Sequence, residues 1–397
     1  MSEAIIRIAG RGDGVTATGR HVPWTAPGDM VDVAGAIIER GPHHIDPACR
    51  HFTSCGGCQL QHLDDASYGQ FIRDRIAQAL AAQGVECPDF ADPHLSPPES
   101  RRRATMKAAR AGGRLLLGFN EAASHRLVDV RMCPVLRPEL FALVAPLRDL
   151  LARLTVKPGA TAAMTLCDQG ADLTLGSVVA ERLAAQEALT DFAQGQSLAR
   201  LSLDQGYGPE LQFQPEQPTV SFDGVAVALP ADAFLQATAD GEAALLAAVR
   251  EIVDGAKTVA DLFSGLGTFA LPLSAKARVL AADAARDSIL ALGQAAARAQ
   301  RPLKAIHRDL FRAPLQDEEL QGCEAVVVDP PRAGAQAQAA ELARSAVPVV
   351  AMVSCNPATF ARDAKTLIAG GYRLTRIWPV GQFRWSTHVE LVGAFSR

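Results

Sequence analysis

Two hydrophobic rhythms divide the chain. From about residue 245 onward, short apolar runs alternate with stretches of helical spacing. That alternation predicts a parallel sheet with helices packed on it. "TVADLF" (258–263) reads as the first strand, "SGLGTF" as a Gly-rich turn, and "ALPLSAK" as the opening of a helix. "RVLAAD" is the second strand and ends at Asp283; "EAVVVDPPRAG" is the fourth and ends at Asp329. The run Val347–Val353 reads as a buried parallel strand that stops at Ser354-Cys355-Asn356-Pro357. Pro357 can open the next helix, whose first position needs no amide donor.

Upstream the rhythm is mixed. Residues 1–40 hold short strand-like runs ("AIIRIAG", "GVTATG", "HVPWTA", "DMVDVAGAI") broken by Gly, Pro and Asp, as in a small OB-like barrel. "DDASYGQFIRDRIAQALAAQG" predicts an amphipathic helix ending at Gly84. Residues 134–230 alternate helix-like and strand-like runs, an α+β pattern. The expected fold class is therefore α/β, in three domains. These are an N-terminal OB-like β barrel over 1–46, a central α+β domain over 47–240, and a C-terminal Rossmann-like domain over 241–397.

Composition narrows the classes. With 48% apolar and 21% charged residues, this is an ordinary globular chain. A net charge of −4 gives no global basic field, so any nucleic-acid surface must be local. No run of about twenty apolar residues appears, so no membrane span is expected. Eight cysteines are too sparse for a disulfide scaffold. The first residues lack an export pattern, so a reducing cytoplasmic location is expected.

Candidate chemistry falls at four places. Cys355 is expected at the carboxyl end of a sheet strand, the rim where open α/β sheets bind ligands. The helix N-terminus beside it would favour thiolate, the nucleophilic form; a buried structural cysteine is the alternative. Gly265 and Gly267 allow close backbone approach to a ligand, and Asp283 at the tip of the second strand can take hydrogen bonds from ribose hydroxyls. The turn is not G-x-G-x-x-G, since Ala270 stands at the third place. Asp261 at the end of the first strand suits S-adenosylmethionine better than a dinucleotide. Cys49, Cys55 and Cys58 form C-x5-C-x2-C, with Cys133 a remote fourth. Four thiolates suit a cubane iron–sulfur cluster or tetrahedral zinc; the absence of a second C-x2-C favours the cluster. Arg101, Arg102, Arg103, Lys107, Arg110 and Arg114 make the densest basic patch, read as phosphate contacts or as a solvated strand face.

Taken together, "DLFSGLGTFALPL", "VVVDPPRAG", "SCNPATFARD" and "HVELV" resemble the RNA uracil-C5 methyltransferases. "PWTAPGDMVDV" resembles the end of a TRAM domain, an OB-like module of RNA-modifying enzymes. With the four cysteines, the layout looks most like the branch acting on 23S ribosomal RNA. The resemblance implies methylation at C5 of an unpaired uridine, with Cys355 as nucleophile and Glu390 as base. It implies S-adenosylmethionine contacts at Gln236, Phe263, Gly265, Gly267, Thr268, Asp283, Asp309 and Asp329, and a [4Fe-4S] cluster on Cys49, Cys55, Cys58 and Cys133. A monomer is expected. The same chemistry on tRNA, a non-catalytic RNA-binding or assembly factor, and a small-molecule methyltransferase are the alternatives. Arg362 and Asp363 are expected to fix the helix after Cys355, and His388 to be a helper or core. Three departures from the family stand out. "ESRRRA" lacks the aromatic that usually precedes an arginine, Thr268 stands where Asn is common, and Asp283 where Glu is common.

Overall fold

A computed structural model describes residues 2–397. The chain forms two compact units, one made of residues up to 71, 97–218 and 383–387, the other of 72–96, 219–382 and 388–397.

The first unit holds two sheets. Near the N-terminus five short strands pair antiparallel, from Glu3–Ile8 to Ile37–Glu39, with Glu3–Ile8 in the middle. Ile5, Val22 and Val31 form its small core. This half-barrel is compatible with the OB-like expectation. Its outer strands, His21–Val22 and Ile37–Glu39, do not pair with each other among the described residues. The second sheet has seven strands, built outward from the long hairpin Thr155–Cys167 and Gly170–Val179. Strand Arg103–Ala111 buries Ala104, Met106 and Ala108 and exposes Thr105 and Lys107 between them. This is the two-residue alternation expected of the basic stretch. The helices Val144–Arg153 and Leu183–Gly195 bring Leu147, Leu151, Leu189 and Ala193 into the same core. The bidentate Arg200–Asp172 pair is buried between adjacent parallel strands.

The second unit is a nine-stranded sheet. Its main strands are β1 (Thr258–Leu262), β2 (Arg278–Asp283), β3 (Leu303–His307), β4 (Ala325–Val328), β5 (Val349–Ser354), β6 (Arg373–Gly381) and β7 (Glu390–Ser396). Their order is β3-β2-β1-β4-β5-β7-β6, and the short strands Asp89–Phe90 and His94–Leu95 pair with β6. β1 to β5 pair parallel; β7 runs antiparallel to both β5 and β6. The strands are short and apolar because helices and neighbours cover them; β4 is buried throughout. Strand order reverses between β1 and β4, and a crevice beyond the carboxyl ends is the consequence. Among the described residues, no helix is long and apolar enough to cross a membrane.

Candidate active site

Everything at this rim lies in the second unit. β1 ends at Leu262, and the chain then turns sharply. Phe263 takes φ +63°, and the amides of Phe263 and Ser264 both donate to the carbonyl of Ala282 on β2. Gly265 follows at φ +52°, with open space where a side chain would stand. Gly267 is different: a Cβ there would meet Leu292 Cδ1 at 2.5 Å, so this glycine serves packing. Thr268 is half-buried beside it. Asp283, at the end of β2, accepts from the Gly265 amide (2.9 Å) and the Ala285 amide (2.6 Å), which ties the turn to β2. Asp309 accepts from the Phe311 and Arg312 amides and so shapes its own turn. That turn sets the Phe311 ring 5.4 Å from the Phe263 ring.

The fit of a cationic cofactor rests on groups left unsatisfied here. Asp261 is 0% exposed, and neither of its carboxylate oxygens closes a hydrogen bond among the described residues. Ser264 Oγ is likewise buried without a partner. The nearby Ala270 amide favours the charged form of Asp261 a little, but burial outweighs it and drives the carboxyl well above its ordinary range. Asp329, just past β4, is raised to about 7 by burial and then by the negative charge of Asp283. Three carboxyls and an open glycine turn match the cationic amine, sulfonium and ribose hydroxyls of S-adenosylmethionine.

Cys355 follows β5 directly. Asn356 caps the next helix, Pro357–Ala369, by accepting from the Ala358 amide at 3.1 Å, and Pro357 occupies the first turn as expected. Ser354 pairs with Leu391 across β5 and β7, and Val380 pairs with Glu390 across β6 and β7. The one-residue step from Ser354 to Cys355 therefore brings the thiol beside Glu390, the first residue of β7. Glu390 is only 4% exposed, and burial lifts it to about 8, with Asp329 adding to the rise. The Cys355 thiol is half-buried, and burial pushes it up to about 11, with Glu390 and Asp329 adding to the rise. The expected thiolate-favouring helix end is thus outweighed. Buried Glu390 and half-buried Asp329 both act against the thiolate, while the one nearby cation, Arg332, is exposed and offsets them weakly.

The sequence reading missed Gln382. It is 2% exposed and bonds Gln236, which is 3% exposed and reaches Asp329 Oδ2 at 3.3 Å. A glutamine between a strand and a loop carries no pattern that would mark it. Arg362 and Asp363 act elsewhere than expected. Asp363 accepts from the Ala335 amide (2.7 Å), and Arg362 donates to the Ala333 carbonyl (3.0 Å). They hold the loop after Asp329, where Gly334 at φ +80° leaves no room for a Cβ. Replacing Asp363 with Ala strands the Ala335 amide. We expect a loss of about 2 kcal/mol, read as a lower unfolding midpoint, while Asp363→Asn keeps an acceptor and loses less. His388 contacts Arg332 at the exposed edge of the rim.

In the first unit, Cys49 Sγ lies 3.9 Å from the Met132 carbonyl, next to Cys133. The Cys55 bridge to Glu121 and the Gly56 amide bond to Asn120 fix the cysteine loop. Burial raises the thiols of Cys55, Cys58 and Cys133, Cys58 to about 12, and neighbouring cysteines add to the rise of these three. Among the described residues, no three His, Cys, Asp or Glu side chains converge as a metal site.

The comparisons agree with the rim. A family profile described as tRNA (Uracil-5-)-methyltransferase matches residues 299–396. An uncharacterized RNA methyltransferase of Zymomonas mobilis is 51% identical over 99% of both chains. The 23S rRNA (uracil(1939)-C(5))-methyltransferase of Halomonas elongata is 32% identical, covering 89% of this chain and 77% of that protein. In fold, the chain is similar to the crystal structure of Pyrococcus abyssi tRNA (uracil-54, C5)-methyltransferase with S-adenosyl-L-homocysteine. The TM-score is 0.76 over the whole of both chains, at 22% identity. With a cysteine and a buried carboxyl side by side at the rim of the crevice, and relatives of this identity and coverage, the chain belongs to the RNA uracil-C5 methyltransferases, which are S-adenosylmethionine-dependent enzymes.

Proposed function

We propose that this enzyme methylates C5 of a specific unpaired uridine in 23S ribosomal RNA. The observation that carries the chemistry is the strand register that sets Cys355 beside Glu390 at the ligand rim. The Halomonas relative favours ribosomal over transfer RNA.

C5 of uracil is a weak nucleophile. Loss of the Cys355 proton to solvent and addition of the sulfur to C6 push the ring electrons onto C5 and O4. Gln236, Phe263, Gly265, Thr268, Asp283, Asp309 and Asp329 would hold S-adenosylmethionine, which would supply an electrophilic methyl group and leave as S-adenosylhomocysteine, while Gly267 lets the turn pack against Leu292. Once C5 carries that methyl, Glu390 takes the C5 proton. The freed electron pair restores the C5–C6 double bond and expels the Cys355 sulfur. The target base leaves its stack to enter, which an unpaired uridine does at least cost. Residues 1–46 serve as a TRAM-type RNA module ahead of a central domain over 47–240 and the catalytic domain over 241–397. The 101–114 strand adds phosphate contacts, and the enzyme acts as a monomer.

Tritium release from C5-tritiated uracil RNA tests the reaction, and mapping of 5-methyluridine in cells lacking the gene names the site. Loss of one modified uridine in 23S rRNA is the expected result. A loss confined to tRNA would move the substrate, and no release from any unmodified RNA would end the proposal.

We also propose a [4Fe-4S] cluster on Cys49, Cys55, Cys58 and Cys133. One buried and three half-buried cysteines, three of them with thiols whose proton affinity burial and neighbouring sulfurs raise, suit a cationic cluster that would favour their ionised form. Protein purified without oxygen should be brown and carry about four irons per chain. Cys133→Ser should lose most of the colour; a colourless protein holding one zinc would be the contrary outcome.

A further inference from the structure

We infer that the amino ends of β1, β2 and β3 form an RNA contact of their own, a basic cleft that holds backbone phosphates at the end of the sheet opposite the methyl-transfer rim. The inference rests on the RNA substrate proposed above.

The three strands begin level with one another. Arg278 pairs with Thr258 and Val279 with Leu303. The Arg278 amide donates to the Lys257 carbonyl (2.8 Å) and the Val279 amide to the Pro302 carbonyl (2.9 Å). A cleft of about 720 Å³ opens at these starts. Lys257, Lys276, Arg278 and Arg301 line it, and no carboxylate does. Two carboxylates reach residues of the cleft, and both are partnered. Glu324 Oε2 accepts from the Lys257 amide (2.6 Å), and Asp223 pairs with Arg250 (3.0 Å) and, at 4.0 Å, with Arg301.

A cation after a helix end is an ordinary complement to the helix dipole. Lys276 and Arg301 follow such ends, those of the helices Ala270–Leu273 and Arg286–Arg298. Lys257 stands just before β1 and Arg278 opens β2, so helix ends do not account for the four together. The chain as a whole carries a net charge of −4, and this concavity runs against that average. Four cations around one cleft attract anions. Lys257, Lys276 and Arg278 are exposed, which suits an extended phosphodiester strand better than an enclosed small anion.

The edge of the sheet joins its two ends. β3 is the outermost of the three strands, and Lys304 and His307 are exposed along it. Arg312, past the Asp309 turn at the rim, keeps an 89% exposed side chain beside its contact with Asp309 (3.4 Å). The five residues of β3 span about 17 Å. An RNA strand that leaves the rim past Arg312 and crosses β3 therefore reaches the cleft. Flanking RNA gains a grip away from the reacting base.

Acetylation of the full-length protein with N-hydroxysuccinimidyl acetate locates the contact. Poly(U) should protect Lys257 and Lys276 from labelling. Lys276→Gln combined with Arg278→Gln removes two cations at exposed positions. Each single-strand phosphate contact contributes about 0.7 to the slope of log affinity against log salt, so the slope should flatten by about 1.4 and poly(U) affinity at physiological salt should fall about tenfold. S-adenosylmethionine affinity should stay at the wild-type value, which verifies the fold. If both lysines label equally with and without poly(U), or if the folded double variant keeps the wild-type slope, the inference is wrong while the uracil chemistry, read from tritium release, stands. Protection by inorganic phosphate but not by poly(U) would make this a small-anion site and overturn the RNA assignment. If the wild-type protein releases no tritium from any RNA, the underlying reading fails first.

Discussion

Glu390→Gln will stop the reaction part-way, with methylated RNA bound covalently to Cys355, whereas Cys355→Ala will form no adduct. In the proposed reaction the two residues serve opposite ends of one bond's lifetime: the sulfur makes the bond to C6, and removal of the C5 proton breaks it. Glutamine nearly matches glutamate in shape and fits the same buried place on β7, so the first half-reaction survives. Without a carboxylate at position 390, the C5 proton loses its proposed acceptor, and turnover should fall by about three orders of magnitude or more. A denaturing gel separates the outcomes: a slow-migrating RNA–protein band for Glu390→Gln, none for Cys355→Ala. Turnover retained in Cys355→Ala would rule out the covalent route.

Acidity should affect the second half-reaction almost as strongly. Glu390 works as a base only when ionised, and burial holds it to about 8. Below that pH the protonated fraction dominates, so breakdown of a preformed adduct should quicken about tenfold per pH unit from 6 towards 8 and then level off. Between pH 6 and 8 the gain approaches about fiftyfold. The thiol adds to the trend in the first half-reaction. With Cys355 at about 11, thiolate also grows with rising pH, so kcat/KM should climb across the same range without an acid-side optimum. A flat profile, or one that falls above pH 7, would mean that neither group titrates as the folded site dictates.

Local chemistry made part of this site legible in the sequence. Cys355 could be placed because an apolar run, a polar tetrapeptide and a helix-opening proline are all written within seventeen residues. Asp283 and the glycine turn were readable for the same reason, since β1, its turn and β2 are contiguous. What escaped depends on partners far away in sequence. The proton affinity of Cys355 is raised first by burial and then by Glu390 and Asp329, which other strands bring in, and together these reverse the direction that the adjacent helix alone implies. The burial of Glu390 follows from β7 lying between β5 and β6, a pairing no local pattern announces. Gln382 is held by hydrogen bonds to Ala237 and Gln236, about 145 positions earlier in the chain. The four cysteines lie in the first unit, and among the described residues no three potential metal ligands converge as a metal site.

The insertion of β7 between β5 and β6 also constrains how this protein is made. A ribosome finishes both flanking strands before it emits the one that joins them. Until residues 390–396 emerge, the nascent sheet has two raw borders with unpaired amides and carbonyls, the kind that invite sticking to other chains. The proposed proton acceptor, Glu390, lies in that same segment, so translation stalled before residue 388 should yield insoluble, inactive product.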